Sequence, residues 1–196
     1  MESKCRKCRR AGEKLFLKGE RCAGATCAIA RRPGTPGVHG AKRKKRGGSE
    51  YGIQLAEKQK FKRSYGIQER QFKNYYESAS KKKGNTLNML AASLETRFDN
   101  IAFRLGFAAS RSQARQMVGH GHCMVNGRRV DIPSYQIVKG DVITIRPGSA
   151  SKKIFQDIKT VLKKYEPPQW LAMDKEILKG EMLRAPEIEE LDVPFN

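Results

Sequence analysis

Four cysteines fall in the first 27 residues as Cys5-x2-Cys8-x13-Cys22-x4-Cys27, in a stretch too poor in apolar residues to build a core of its own. Two short cysteine pairs at the ends of a loop can close a tetrahedral metal shell with little chain entropy to lose. Lys and Arg crowd the four positions, which favours thiolates. The spacing therefore points to one zinc ion as the organiser of this segment. An iron–sulfur cluster, two disulfides or unrelated thiols are the competing readings. Disulfides are disfavoured, because Met1-Glu2-Ser3-Lys4-Cys5-Arg6 lacks the apolar stretch of a secretory signal. The fifth cysteine, Cys123, falls in a predicted strand and reads as an inert packed thiol.

Charge narrows the function. Among 196 residues, 40 are Lys or Arg and 20 are Asp or Glu, giving a net +20. Residues 1–46 carry 15 basic and 3 acidic side chains, residues 47–165 carry 22 and 9, and residues 166–196 carry 3 and 8. An excess of this size points to a polyanionic partner, nucleic acid first. A membrane partner is not expected. No apolar run approaches the ~18 residues of a span. The densest basic run, Lys42-Arg43-Lys44-Lys45-Arg46, follows a Gly/Pro loop rather than lying opposite an apolar helix face.

The pattern divides the chain into a basic segment at 1–46, a helical body at 47–93, a module at 94–165 and an acidic tail at 166–196. The tail is expected to pack with the helical body. Ser49 opens a helix that runs to Gly66, and Lys81-Lys82-Lys83-Gly84-Asn85 is a stop before a helix restarts at Thr86, with Leu87, Leu90, Ala91 and Leu94 on one face. Phe98, Ile101, Ala102 and Leu105 follow i, i+3, i+4, i+7, and Gly106 suits the left-handed position after a helix. Ser110-Arg111-Ser112-Gln113 is a capping-box pattern opening a second short helix, with Ala114, Met117 and Val118 inward. Asn126-Gly127 is a strong hairpin signal, and Val142-Ile143-Thr144-Ile145 reads as a strand. An amphipathic helix through Ile154, Ile158, Val161, Leu162 and Tyr165 ends the module before Pro167-Pro168. The fold class is α+β: a zinc-bound N-terminal segment with a helical body, then two short helices followed by a hairpin and small sheet.

Candidate contacts follow. The opening of the Ser110 helix offers free N–H groups to a phosphate, with Ser110 and Gln113 shaping it and Arg111 and Arg115 four apart on one face. The hairpin brings Asn126 and Arg128 beside it. His120 and His122 flank Gly121 after a basic helix. Arg97 is a further candidate, although Glu95 or Asp99 could claim it. Arg31, Arg32 and the run Lys42, Arg43, Lys44, Lys45 and Arg46 are candidate phosphate contacts that read no sequence. Nothing in the chain forms a catalytic Ser/His/Asp set, a carboxylate pair or a phosphate-cradling loop, so neither catalysis nor a small-molecule substrate is expected.

The run from Cys5 to Cys22 resembles the opening of the zinc-containing form of the bacterial small-subunit ribosomal protein S-four family. Pro36-Gly37-Val38-His39-Gly40, the stretch Tyr-Gly-Ile-Gln-Leu-Ala-Glu-Lys-Gln-Lys at 51–60, and Glu69-Arg70-Gln71-Phe72 resemble its next landmarks. Arg97-Phe98-Asp99-Asn100 through Val125-Asn126-Gly127 resembles the RNA-binding module that carries the family's name. That module also occurs in RNA-modifying enzymes, so an enzyme using it as an appendage is the alternative. A zinc-bearing DNA regulator is a weaker rival, since no base-reading helix is apparent. The resemblance implies a primary binder of small-subunit ribosomal RNA at a helix junction in the cytoplasmic ribosome, nucleating assembly. It also implies a place near the channel where mRNA enters, contact with neighbouring proteins including the fifth of the small subunit, and an effect on decoding accuracy. Some members repress their own mRNA. The sequence departs from the family's usual pattern in its short lead before Cys5 and in its ending, Pro194-Phe195-Asn196.

Overall fold

Local signals set most helix ends. Ser49 lies just before α3 (Glu50–Tyr65), and its Oγ accepts a hydrogen bond from the Gly52 N–H at 3.3 Å. Gly66 closes that helix at φ 64°, a conformation with little penalty for a residue without Cβ. The computed structural model describes residues 3–38, 40, 49–152, 155, 158, 162 and 165–191. The basic run Lys42–Arg46 lies outside the described residues. Contacts divide the chain into two units, Met1–Phe72 with Val193–Asn196, and Lys73–Asp192.

In the first unit, α1 (Lys4–Ala11) ends at Gly12, and α2 (Ala28–Arg31) follows a short 3-10 turn at Gly19–Cys22. The buried side chains described before α3 are Leu15 and three cysteines, Cys8, Cys22 and Cys27. Later in the unit Phe61, Tyr65, Ile67 and Phe72 are buried, with the Phe61 ring 5.2 Å from Tyr65 and 5.9 Å from Phe72. Glu69, the first residue of α4 (Glu69–Ser80), accepts hydrogen bonds from Lys58 and Lys62 at 2.6 Å each. Those two ammonium groups pull its carboxyl down to about 2.

The second unit holds α5 (Thr86–Glu95), capped by the Asn85 side chain, then α6 (Phe98–Arg104) and α7 (Arg111–Gly119). Five antiparallel strands follow: β1 (Cys123–Val125), β2 (Arg128–Arg129), β3 (Val142–Ile145), β4 (Leu171–Asp174) and β5 (Lys179–Met182). Between β3 and β4 lie the single helical turn α8 (Pro147–Ala150) and helical residues at Phe155, Ile158 and Leu162. Strand order is β2-β1-β3-β5-β4. Asn126 and Gly127 turn the β1–β2 hairpin at φ 48° and 76°, the two positive values that a tight primed turn requires. The predicted stripe Phe98, Ile101, Ala102 and Leu105 is wholly buried, as are Ala114, Met117 and Val118. Leu87, expected inward on α5, is instead 54% exposed.

The structure adds detail to two expectations about organisation. The acidic tail supplies β4 and β5, which extend the module's sheet beyond β3, and its short 3-10 turn at Ile188–Glu190 lies against α5. The open edge of β3 needs a partner strand, and Trp170, Leu171, Leu178 and Met182 bury their side chains in the same core. Gly180 is required there, since a Cβ would sit 2.4 Å from Leu105 Cδ1. The contact division falls at residue 72, earlier than the 93–94 boundary drawn from pattern, and Tyr75 of α4 accepts a hydrogen bond from Arg97 of the module.

Cys123 is fully buried among apolar side chains, and desolvation pushes its thiol up to about 12. A thiol-directed alkylating reagent at pH 8 should therefore leave Cys123 unmodified in the folded chain and label it in urea. Peptide mass analysis checks this; native labelling at the rate of an exposed thiol would contradict the packing.

Candidate nucleic-acid interface

Ser110 has an extended backbone, and its Oγ accepts from the Gln113 N–H at 3.4 Å. Gln113 reciprocates by accepting from the Ala109 N–H at 3.0 Å. These two bonds fix the opening of α7 where the capping-box pattern placed it. Ser110 is only 9% exposed, so its hydroxyl serves the cap. Ser110→Ala should lower the urea midpoint by an amount equivalent to ~1 kcal/mol. An unchanged midpoint would mean that the cap contributes nothing.

Arg111 and Arg115 project from the first turns of α7, but they are not the free exposed pair that the sequence suggests. Arg111 Nε donates to Asn100 Oδ1 at 2.7 Å, and its guanidinium lies 4.8 Å from the Phe103 ring centre and 3.7 Å from Glu95. Arg115 binds Asp99 Oδ2 through Nε at 2.7 Å and Nη2 at 2.6 Å. Their side chains are 21% and 34% exposed. The physical reason is a pair of buried carboxylates, which the sequence offers as partners of Arg97 but not of Arg111 and Arg115. Glu95, fully buried, accepts from Asn100 Nδ2 at 2.6 Å and from Arg104 at 2.9 and 3.0 Å. Asp99, 4% exposed, carries Arg115 on one side and Arg97 on the other. Neither acid stands out as a site residue from the sequence pattern. Their signal is a carboxylate at each of two positions next to an apolar stripe.

Arg97 takes the Asp99 pairing that the sequence left open. It is 2% exposed, gives both Nε and Nη2 to Asp99 at 3.0 Å, and gives Nη1 to the Tyr75 hydroxyl at 2.8 Å. Burial opposes its charge, but Asp99 and then Tyr75 more than compensate and hold the guanidinium above its ordinary pKa. Its guanidinium is committed to these two structural partners. Asn126 is likewise structural, though exposed. Its Nδ2 donates to Asp141 at 2.7 Å and its Oδ1 accepts from the Val142 N–H at 2.9 Å, which pins the hairpin turn to β3.

The histidines separate. His120 is exposed, whereas His122 is half-buried, with Nδ1 3.0 Å from Ser149 Oγ and its ring edge-on to Phe155. Burial, then the positive charge of Lys152, His120, Arg146 and Arg129, holds the His122 pKa below its ordinary value. Arg128 is exposed on β2. In the other unit Arg31 and Arg32 are exposed at the end of α2.

The same unit brings its four cysteines around one small cavity, which Lys4, Lys18 and Arg21 also line. Cys5 is half-buried and the other three are buried; all are free thiols. Backbone N–H groups point at the sulfurs: Lys18 donates to Cys22 Sγ at 3.3 Å. Hydrogen bonds from Ile29 and Ala30 draw the Cys27 thiol below its ordinary pKa, while burial raises that of Cys8. As the side chains stand, no group of three or more His, Cys, Asp or Glu among the described residues is arranged to hold a metal ion. No helix among the described residues is long and apolar enough to cross a membrane.

A strongly basic chain with an α6–α7 pair, a tight hairpin and positioned arginines has the architecture of a structural RNA-binding protein. Comparison with known proteins agrees. Residues 1–95 match the model of the ribosomal protein S4/S9 N-terminal domain, and residues 96–143 match that of the S4 domain. The small ribosomal subunit protein uS4 of Thermus thermophilus is 51% identical over 192 residues, covering 98% of this chain and 91% of that one. Those of Caldicellulosiruptor bescii and Syntrophomonas wolfei are 52% and 48% identical, covering 97% and 100% of this chain and 91% and 93% of theirs. The chain belongs to the uS4 family of small ribosomal subunit proteins. It is a structural constituent of the small ribosomal subunit that binds ribosomal RNA, not an enzyme.

Proposed function

We propose that the chain grips a folded junction of small-subunit ribosomal RNA with the first turns of α7 and the β1–β2 hairpin. The observation that carries this reading is the anchoring of Arg111 and Arg115 by Glu95 and Asp99 at a helix N-terminus. A guanidinium held in place loses little freedom when it meets a phosphate. RNA helices are recognised by shape, phosphate and 2′-OH, a task that suits a rigid helix-and-hairpin edge. Arg128, exposed on the hairpin, is taken as a further phosphate contact, and Arg31, Arg32 and the Lys42–Arg46 run add sequence-independent phosphate binding.

A zinc ion held by Cys5, Cys8, Cys22 and Cys27 belongs to the same proposal. What supports it is four thiols lining one cavity, with basic neighbours and backbone N–H donors to sulfur, although the side chains as they stand do not form the metal shell. Zinc there would cross-link the segment and supply folding free energy without acting on RNA. With the resemblance, the reading also includes nucleation of subunit assembly and contact with the fifth small-subunit protein. It includes a position near the channel where mRNA enters, an influence on accuracy, and binding to the chain's own mRNA.

The test is equilibrium binding of the full chain to transcribed junction RNA and to a plain duplex of equal length. Arg111→Lys with Arg115→Lys keeps both charges but loses the planar fork. Adding Arg128→Gln should lower junction affinity by on the order of tenfold or more, through lost charge-assisted bonds, and duplex affinity much less. Equal losses on the two RNAs would reduce this face to a general basic surface.

A further inference from the structure

Three residues other than glycine have positive φ among the described residues: Phe16 at 47°, Asn126 at 48° and Leu178 at 52°. Such backbone strains an L-residue, most of all a bulky one. Two of the three are compensated in view. Asn126 is a side-chain type suited to this region, and its amide makes two hydrogen bonds that pin the hairpin. Leu178 is 3% exposed, within the core of its unit. Phe16 has neither. Its ring is 55% exposed.

The chain on both sides of Phe16 explains how that posture is enforced. Leu15 is 4% exposed, and its backbone hydrogen-bonds the Cys8 thiol. Leu17 lines the cysteine cavity, and the Lys18 N–H donates to Cys22 Sγ. Residues 15, 17 and 18 are thus tied to the cysteine cluster, while residue 16 is turned out between them. Glycine or asparagine would hold this bend with less strain. A large aromatic here adds strain and leaves more than half of its surface exposed. Strain that the fold enforces but does not use points to a ligand. The surroundings select its chemistry. Lys14 and Lys18 lie two residues away on either side, and Lys18 is exposed. An exposed aromatic ring flanked by ammonium groups suits an unpaired nucleobase, with the base stacked on the ring and its phosphates met by lysine.

We propose that Phe16 is a stacking finger that takes one unpaired base of the small-subunit ribosomal RNA. It is a binding site separate from the α7 face, and it rests on the ribosomal RNA reading only for the identity of the polymer. The cysteine cluster, by fixing residues 15, 17 and 18, would act as the mount that presents the ring already oriented.

Two variants of the full chain test this against transcribed small-subunit ribosomal RNA. Phe16→Gly relieves the backbone and removes the ring. It should leave amide-exchange protection of residues 4–31 equal to or above that of the unaltered chain, yet weaken RNA binding by on the order of tenfold. Phe16→Trp keeps a stacking surface. It should retain affinity, and its emission, taken as the difference from the unaltered chain with its buried Trp170, should be quenched on addition of RNA. If Phe16→Gly binds as tightly as the unaltered chain, or the difference emission of Phe16→Trp does not change on binding, the finger does not exist. Unchanged affinity is also the outcome if the ring seats in a protein neighbour. Failure of the unaltered chain to bind the RNA would instead overturn the underlying reading.

Discussion

Asp99→Asn should destabilise the 73–192 unit by ~3–5 kcal/mol, the typical consequence of removing one partner of a buried ion pair. The change is nearly isosteric, so the loss reports charge rather than volume. Arg97 would remain 2% exposed with only neutral oxygens, the Tyr75 hydroxyl among them, as acceptors, and Arg115 would lose the carboxylate that accepts its Nε and Nη2. An uncompensated guanidinium in that setting is strongly disfavoured. Since whole domains are stable by only about 5–15 kcal/mol, much of the unit's margin is at stake. Trp170, the single tryptophan, is 1% exposed in this core and makes its emission in urea a direct readout. Replacing Arg97 with methionine as well should recover part of the loss, because the unpaired charge disappears with it. A single-variant loss below about 1 kcal/mol would show that the pair stabilises no more than an exposed one.

The module was legible where one local rule decides the outcome. The stripe Phe98, Ile101, Ala102 and Leu105, the cap at Ser110 and the turn at Asn126-Gly127 each depend on residues a few positions apart, and each is found where the pattern placed it. Strand β3 was legible too, as four alternately buried residues. What stayed hidden depends on partners distant in the chain. Strands β4 and β5 are short and sit in an acidic tail, and only the open edge of β3 gives them a place. The arginine face depends on Glu95, Asp99, Asn100 and Phe103, and no spacing rule tells an arginine bound to a buried carboxylate from one waiting for a phosphate. Arg97 illustrates the ambiguity: its possible pairing with Asp99 was visible in sequence, but only its burial decides between the two partners. For the exposed candidates Arg31, Arg32, His120 and Arg128, geometry supplies accessibility alone.

Removal of the proposed zinc should unfold α1, the 3-10 turn at Gly19–Cys22 and α2, and leave the 73–192 unit intact. Among the described residues before α3, the buried apolar set is Leu15 with Cys8, Cys22 and Cys27, so three of its four members are themselves proposed ligands. Without an ion to draw them together, the thiols have no attraction for one another, and their neighbours Lys4, Lys18 and Arg21 repel. Burial and the like charges of Lys18 and Lys7 already hold the Lys4 ammonium below its ordinary pKa. A structural zinc contributes on the order of 10 kcal/mol in small domains of this kind, more than one leucine can replace. The other unit has its own core of Phe98, Ile101, Leu105, Phe107, Ile143 and Trp170, none more than 1% exposed. Anaerobically purified chain should accordingly contain about one equivalent of zinc for one four-cysteine site. Chelation should abolish amide-exchange protection across α1 and α2 while Trp170 emission stays native. Cys8→Ser should reproduce the loss without a chelator, because a serine hydroxyl is a poor substitute for a thiolate on zinc. Persistent protection of α1 after complete metal removal would show that the segment folds by another route.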